Sequence, residues 1–200
     1  MGEPSLLQSK GAQQALTLPN ILTYSRILAV PAIVLCSTFD SAASRWTALA
    51  LFVAAAVTDW LDGYFARAWS QQSALGRMLD PIADKLLVSI VLLLLVGNGT
   101  IAGTGIWAAV IILSREILVS GLREFLADLR VSLPVSRLAK WKTGVQLVAL
   151  GFLIPGAAAD EVVPGASIIG IVALWLAALL TIFTGYDYLK AGIAKLIEET

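Results

Sequence analysis

The stretch from Thr58 to Lys85 reads TDWLDGYFARAWSQQSALGRMLDPIADK, and the rest of the chain is interpreted around it. It contains four aspartates: Asp59, Asp62, Asp80 and Asp84. Long apolar runs lie on either side of it, and only 14% of the 200 residues are charged. A soluble domain is usually about a quarter charged, so charged residues are scarce in this chain. Four carboxylates gathered at the ends of apolar segments therefore indicate a function.

The composition is typical of a membrane protein. Hydrophobic residues make up 58% of the chain, and the mean hydropathy is +0.83. The net charge is zero, so no overall field points to a nucleic-acid partner. The chain has one cysteine, Cys36, and no histidine, which excludes an intrachain disulfide, a zinc cluster and histidine acid–base chemistry. Any bound metal is therefore expected to be a hard cation held by oxygen atoms.

The hydropathy pattern predicts an all-α integral membrane bundle of six transmembrane helices, forming one domain over residues 1–200. About 20 apolar residues are enough to cross a bilayer. Five of the predicted spans are Ile21–Phe39, Ala42–Ala66, Pro81–Val96, Ile106–Phe125 and Ala166–Tyr188. The other one, fifth in chain order, is continued by Val145–Ile154 and ended by Pro155-Gly156. A loop is predicted at Trp69–Leu79. Met1–Thr17 lacks the features of a signal peptide and is predicted to form a short helix on the membrane surface.

The basic residues predict the orientation of these spans. Lysines and arginines concentrate at the two termini and around alternate loops, whereas the opposite loops hold only Arg45, beside Asp40, Asp160 and Glu161. By the positive-inside rule, both termini face the cytoplasm. The aspartate stretch then lies at the cytoplasmic face, where a water-soluble substrate meets a lipid.

The first two aspartates share a helix face with small residues. On a helix, Asp59, Gly63 and Ala66 lie at i, i+4 and i+7 on one stripe, and Asp62 lies about 60° to its side. The two small residues allow a ligand or another helix to approach the backbone closely.

The other two aspartates lie near the start of the third span. Asp80 directly precedes Pro81, which suits the first position of a helix, so Asp80 is predicted to be an N-cap. Asp84 lies one turn further along, on the same side. Packing the end of the second span against the start of the third would bring all four carboxylates together.

Four carboxylates this close repel one another unless a countercharge is present. Mg²⁺ and Mn²⁺ prefer carboxylate ligands, and Mg²⁺ commonly shares them with substrate phosphates. This chemistry predicts a pair of metal ions, a substrate that carries a diphosphate, and Arg67 as a phosphate ligand. One carboxylate left partly free could act as a general base on a hydroxyl group.

A purely structural interpretation of the same stretch also exists. The aspartates could serve only as a cap and as ion-pair partners of Arg67 and Lys85, and the small residues only as packing positions. Taken as a whole this interpretation is weaker, because acidic residues within or beside a membrane are costly and usually functional.

The complete pattern of the stretch resembles a known family signature. Its spacing is Asp59-x2-Asp62-Gly63-x2-Ala66-Arg67-x8-Gly76-x3-Asp80-x3-Asp84, which is similar to the signature of the CDP-alcohol phosphotransferases. The resemblance implies six transmembrane helices around a cytoplasm-facing polar cavity, in a homodimer. It also implies that Asp59, Asp62 and Asp80 bind divalent metal, and that Asp84 is the catalytic base while contacting one metal ion. The cytidine diphosphate part of the donor would be held by Gly63, Ala66, Arg67 and Gly76.

Three further segments resemble one branch of that family. LPNILTYSR at 18–26, SREILVSGLREFLA at 114–127 and LAKWKTGVQ at 138–146 are similar to bacterial phosphatidylglycerophosphate synthases, whereas Asp128–Arg137 is less typical. This resemblance implies an enzyme of the bacterial inner membrane that takes CDP-diacylglycerol as donor. Its acceptor would be glycerol 3-phosphate, and CMP would be released.

Basic residues outside the aspartate stretch predict where the phosphate of the acceptor binds. Arg115 lies inside an apolar span, where an unpaired charge is costly. The other predicted phosphate-binding residues are Arg123, Lys140 and Lys142. Alternatively, Arg115 pairs with Glu116 or with an acid of the aspartate stretch. The other three, and especially the two lysines, could equally form a solvated or lipid-facing edge.

Polar residues of the first span lie on one helical face: Asn20, Thr23 and Arg26. Asn20 and Thr23 are predicted to bind the donor, or alternatively to cap or pack the helix.

Two alternatives to the predicted activity remain. Within the family, the acceptor could be phosphatidylglycerol, as in cardiolipin synthesis, or an inositol phosphate. Outside it, the chain could be a small cation transporter that uses the aspartates as an ion pathway.

Overall fold

The computed structural model of the protein describes residues 18–39, 41–69, 74–129 and 137–198. Within these ranges, the side chains of residues 18–19, 60, 62–69, 74–75, 77, 128, 137 and 196–198 fall outside the description. The surface helix that the sequence predicts at Met1–Thr17 lies outside the described residues.

The described residues form helices and contain no strand, which confirms the all-α prediction. The helices are α1 (Leu18–Ser37), α2 (Ala42–Trp69), α3 (Ala74–Gly97), α4 (Gly105–Asp128), α5 (Arg137–Leu153), α6 (Ala157–Val162) and α7 (Ala166–Glu198). The last helix extends ten residues beyond the predicted span, and the short α6 occupies a segment that the sequence predicts to be a loop.

Three helices of the described chain are long and apolar enough to cross a membrane. They contain the segments Asn20–Ser37, Gly105–Ala127 and Ala166–Lys195. The helices α2 and α3 carry the charges of the aspartate stretch, and α5 has only 17 residues, at the lower limit of the length that spans a bilayer. The membrane character is therefore confirmed, whereas six spans remain a prediction.

The start of α3 corrects two predictions. The helix begins at Ala74, so Ala74–Leu79 is helical rather than part of a loop, and Pro81 lies inside the helix. Asp80 is therefore not an N-cap. The proline removes one backbone hydrogen bond from the helix, but it does not end it. The Asp80 carboxylate accepts a hydrogen bond from the side chain of Thr23 on α1 instead of capping its own helix.

The chain divides into two compact units, the first ending at Val91 and the second beginning at Leu92. In the first unit, α1 packs against α2. Its buried core includes Ile33, Phe52 and the small residues Ala48 and Ala55. Alanines at such an interface allow two helix backbones to approach closely.

In the second unit, α7 packs against α4, α5 and α6. Glycines on α7 make this possible at close quarters. A Cβ atom at Gly170 would lie 2.7 Å from the side chain of Leu153 on α5, and one at Gly192 would lie 3.0 Å from Leu122 on α4. The long apolar α7 is therefore the central helix of this unit, and it contacts the helices that carry the predicted acceptor-binding residues.

Candidate active site

One face of α1 binds one face of α3 through polar side chains. Thr23 Oγ1 donates a hydrogen bond to Asp80 Oδ1 at 2.5 Å, and Arg26 Nη1 donates to Asp84 Oδ1 at 2.5 Å. Thr23 and Arg26 are three residues apart, and Asp80 and Asp84 are four apart, so each pair lies on a single helix face. The helical spacing predicted for Asp80 and Asp84 is thus observed.

Carboxylates from two helices meet at Arg26. Its Nη1 atom is 2.8 Å from Asp59 Oδ1 on α2 and 2.5 Å from Asp84 Oδ1 on α3. The two carboxylate oxygens therefore lie no further apart than the sum of these distances. The Arg26 side chain is completely buried, whereas the side chains of Asp59 and Asp84 are 43% and 48% exposed. The buried guanidinium group of Arg26 thus holds the two carboxylates together, and both carboxylates remain accessible to solvent.

Arg26 is a site residue that was not predicted from the sequence. The signal was present, because Arg26 shares a helical face with Asn20 and Thr23, and all three are buried. A buried arginine in the first turns of an apolar helix requires acidic partners, and the aspartate stretch is rich in them. Asp59 therefore pairs with Arg26, which was not the partner considered in the structural alternative.

Part of the predicted metal and donor site falls outside the described side chains: Asp62, Gly63, Ala66 and Arg67. The backbone of α2 is helical through all of them, and Gly76 is buried in the first turn of α3. Among the side chains that the structure describes, no group of three or more acidic or other metal-binding residues is close enough to hold an ion. The described set lacks Asp62, so the four-aspartate metal site stays a prediction.

The second unit contains a separate polar cluster, formed by Arg115, Glu116 and Lys142. Lys142 Nζ donates a hydrogen bond to Glu116 Oε1, and Arg115 Nη1 is 3.7 Å from the same oxygen. The side chain of Arg115 is 13% exposed, that of Glu116 is 19% exposed and that of Lys142 is 4% exposed. A lysine this deeply buried next to one carboxylate and one arginine belongs to a buried ionic cluster rather than to a solvated edge.

Several contacts from α7 fix the position of Arg115. Its Nη2 atom donates a hydrogen bond to Thr184 Oγ1 at 3.2 Å, and its guanidinium carbon lies 5.8 Å from the centroid of the Tyr188 ring, within the range of a cation–π contact. Gly185 leaves room for the aliphatic part of the side chain, because a Cβ atom there would lie 3.0 Å from Arg115 Cγ.

The four predicted acceptor residues therefore divide into two groups. Arg115 and Lys142 are brought together, and the contact of Arg115 with Glu116 that the alternative foresaw is present. Arg123 is exposed on α4, and Lys140 is exposed on α5. Lys140 also lines an open apolar groove of about 580 Å³ with Trp141 and Val148, so the edge-like interpretation fits Lys140 and is wrong for Lys142.

Comparisons with known proteins identify the family. A family model described as CDP-alcohol phosphatidyltransferase matches residues 16–183. A protein named CDP-diacylglycerol–glycerol-3-phosphate 3-phosphatidyltransferase from Rickettsia bellii is 47% identical over 174 residues, which cover 87% of this chain and 94% of the relative. Proteins of the same name from Cereibacter sphaeroides and Shigella flexneri are 39% and 38% identical, over 92% and 91% of this chain and 98% of each relative. The chain belongs to the CDP-alcohol phosphatidyltransferase family, and nothing in these matches supports the transporter alternative.

Proposed function

We propose that this chain transfers a phosphatidyl group from CDP-diacylglycerol to glycerol 3-phosphate, giving phosphatidylglycerophosphate and CMP. The observation that carries the proposal is the meeting of carboxylates from α2 and α3 on α1, in a chain whose relatives over almost their full length carry the name of this activity. The alternatives within the family differ only in the acceptor.

The first unit supplies the metal and donor residues in this proposal. Asp59, Asp62, Asp80 and Asp84 hold divalent cations, Mg²⁺ or Mn²⁺, and a pair of ions fits four carboxylates. The described geometry supports this, because the carboxylates of Asp59 and Asp84 already share one cationic partner and remain exposed. When bound, the cations neutralise the diphosphate of the donor.

The donor nucleotide is assigned to residues of the same unit. Gly63, Ala66 and Gly76 present backbone without bulky side chains, so a diphosphate and its cytidine can approach closely. Arg67 supplies a charge-assisted hydrogen bond to a phosphate oxygen. Asn20 and Thr23 contribute to donor binding from α1. The hydroxyl group of Thr23 donates a hydrogen bond to Asp80 and so fixes its carboxylate.

The chemical step is a direct displacement with Asp84 as the general base. A hydroxyl oxygen of glycerol 3-phosphate forms a bond to the phosphorus that carries diacylglycerol, and its proton passes to a carboxylate oxygen of Asp84. The bond from that phosphorus to the CMP oxygen breaks, and the electron pair leaves with CMP. Positioning and charge neutralisation account for most of the acceleration in such reactions. Arg26 contributes by holding the Asp84 carboxylate in one orientation.

The second unit supplies the binding site for the phosphate of the acceptor. Arg115 and Lys142 are close together, buried and oriented by Glu116, Thr184 and Tyr188. Two partly desolvated cations favour a dianionic phosphate over a neutral alcohol. Arg123 and Lys140, which are exposed, guide the charged acceptor towards the site.

The proposed location is the bacterial inner membrane, with six spans, a cytoplasm-facing polar cavity and both termini in the cytoplasm. The distribution of basic residues and the three long apolar helices support this topology. A homodimer is proposed from the family resemblance. Exposed apolar side chains along α4 and α7, such as Trp107 and Phe183, are available to lipid or to a second copy.

The proposal is tested by measuring CMP release from CDP-diacylglycerol with Mg²⁺, adding candidate acceptors one at a time. Release that depends on glycerol 3-phosphate supports it, whereas release that depends on phosphatidylglycerol or an inositol phosphate replaces the acceptor. Absence of release with any acceptor, from folded protein, would contradict the assignment of the enzyme.

A further inference from the structure

Three buried polar atoms of the second unit have no hydrogen-bond partner among the described residues. They are Arg115 Nε, Gln146 Oε1 and Thr181 Oγ1. Buried polar groups are nearly always paired, so each exception requires an explanation. Arg115 itself belongs to the Arg115, Glu116 and Lys142 cluster, Gln146 is one helical turn from Lys142 on α5, and Thr181 is one turn from Thr184, which contacts Arg115 from α7. The unsatisfied atoms therefore concentrate around the cluster of Arg115, Glu116 and Lys142.

Gln146 is the most informative of the three. Its side chain is 2% exposed, and its position four residues after Lys142 places it on the same face of α5, displaced by about 6 Å along the helix axis. An amide oxygen accepts hydrogen bonds and donates none. Its missing partner must therefore carry a donor hydrogen, which excludes an ionised phosphate oxygen.

We propose that Gln146 Oε1 accepts a hydrogen bond from the secondary hydroxyl group of the acceptor. This inference rests on the proposed function. Glycerol 3-phosphate carries one primary hydroxyl, which reacts, and one secondary hydroxyl between the reacting carbon and the phosphate. With the phosphate bound at Arg115 and Lys142, a neighbouring buried oxygen one turn away is matched to that second hydroxyl. Gln146 is thus a specificity-determining residue, and a polyol monophosphate is the class of acceptor it selects.

Such a contact has a measurable consequence. A site that hydrogen-bonds a hydroxyl group rejects an analogue that lacks it, because the buried polar atom is then left unpaired. The analogue 3-hydroxypropyl phosphate retains the phosphate and the reacting primary hydroxyl and lacks only the secondary one. The wild-type enzyme is expected to prefer glycerol 3-phosphate over this analogue by about tenfold or more in kcat/KM.

The experiment compares kcat/KM for both acceptors in the full chain and in variants at position 146. Gln146→Leu is expected to reduce kcat/KM for glycerol 3-phosphate to about the value of the analogue and to leave the analogue unaffected. Gln146→Glu keeps an accepting oxygen and is expected to keep the preference. The control is Thr143→Val on the exposed face of α5, where the hydroxyl group donates a hydrogen bond to the backbone oxygen of Ala139 in its own helix. Both acceptors should behave as with the wild-type enzyme.

A purely structural role for Gln146 predicts a different pattern. Gln146→Leu would then lower kcat/KM for both acceptors equally, and this result overturns the proposal, as does an unchanged preference. If the leucine variant does not fold, Gln146→Met provides the same comparison with a more adaptable side chain. Wild-type activity with glycerol 3-phosphate but no preference over the analogue refutes this inference alone. Activity with neither phosphorylated acceptor refutes the proposed function as well.

Discussion

Replacement of Gly185 by alanine is predicted to weaken acceptor binding through Arg115, one of the residues proposed to bind the acceptor phosphate. Gly185 lies on α7 against Arg115 of α4, and a Cβ atom there would lie 3.0 Å from Arg115 Cγ and 3.7 Å from its Nε atom. Arg115 cannot move aside freely, because it is bonded to Thr184 and lies over the ring of Tyr188. The added methyl group must therefore displace the guanidinium group or separate the two helices.

Two opposing effects determine the stability of Gly185→Ala. Alanine is a better helix former than glycine by about 1 kcal/mol, whereas overpacking a well-filled site costs about 1–3 kcal/mol. The net loss of unfolding free energy is then at most about 2 kcal/mol, and the protein remains folded. The functional effect is larger, since a hydrogen bond to a charged group contributes about 1.5–3 kcal/mol. Its loss raises the KM for glycerol 3-phosphate by about tenfold or more.

The assay is steady-state CMP release in mixed micelles, with the two substrates varied in turn, and thermal unfolding of the same sample. The KM for CDP-diacylglycerol should not change, because the residues proposed to bind the donor belong to the other unit. Gly121→Ala is the matched control on α4, since a Cβ atom there meets nothing within 4 Å; it should be neutral or slightly stabilising. A folded Gly185→Ala enzyme with an unchanged KM for glycerol 3-phosphate would refute the reasoning that the position of Arg115 against Gly185 determines acceptor binding.

The remaining predictions concern the base, the metal, the buried ion pair and the Asp160 carboxylate on α6. Asp84→Asn should reduce the rate of CMP release by about a thousandfold while CDP-diacylglycerol still binds in an equilibrium assay; a nearly normal rate would exclude Asp84 as the base. Removal of divalent cations with EDTA should abolish turnover, and added Mg²⁺ or Mn²⁺ should restore it; unimpaired turnover in EDTA would contradict the metal proposal. Glu116→Gln leaves the buried Lys142 without its carboxylate and should lower the unfolding free energy by about 3–5 kcal/mol, measured by denaturant titration, whereas Glu116→Gln combined with Lys142→Met should recover part of that loss. The pKa of Asp160 lies below its ordinary value of 3.8 because Ser167 donates side-chain and backbone hydrogen bonds to it. This carboxylate therefore stabilises the fold above pH 3.8, and the contribution is lost as the pH falls through the lowered pKa; the thermal midpoint of Asp160→Asn should lack this pH dependence.

The aspartate stretch could be interpreted from the sequence because its chemistry is local. The spacing of Asp80 and Asp84 places them on one helix face whatever the helix packs against, and the cost of charge near a membrane separates a functional cluster from a chance one. The family resemblance rests on the same residues. The helical character and the membrane class follow from hydropathy, which depends on composition over windows of about 20 residues.

The start of α3 could not be predicted correctly because the local signal is ambiguous. An Asp-Pro pair is typical of a helix N-terminus, yet a proline is also tolerated inside a membrane helix when other groups satisfy the freed backbone. Asp80 contacts Thr23 of a different helix. This is a tertiary interaction, and the local sequence around Pro81 does not predict it.

The partners of the charged residues were also beyond sequence reasoning. Arg26 and Lys142 are both buried, and each is held by carboxylates from other helices. Periodicity indicates which face of a helix is polar, but it does not indicate which face of another helix meets it. The packing role of Gly185 also could not be predicted from the sequence, because it depends on the position of Arg115 against this glycine.

The central claim is that this chain forms a bond between a phosphatidyl group and glycerol 3-phosphate, and the most direct test is to follow that bond. Radiolabelled glycerol 3-phosphate is incubated with the purified full chain, CDP-diacylglycerol and Mg²⁺, and label is counted in the organic phase. The account predicts that label enters a lipid in equal amount to the CMP released, and that both depend on CDP-diacylglycerol. Release of CMP by folded enzyme with no label in lipid would contradict it, whereas label transfer that persists in Asp84→Asn at the wild-type rate would contradict only the assignment of Asp84 as the base.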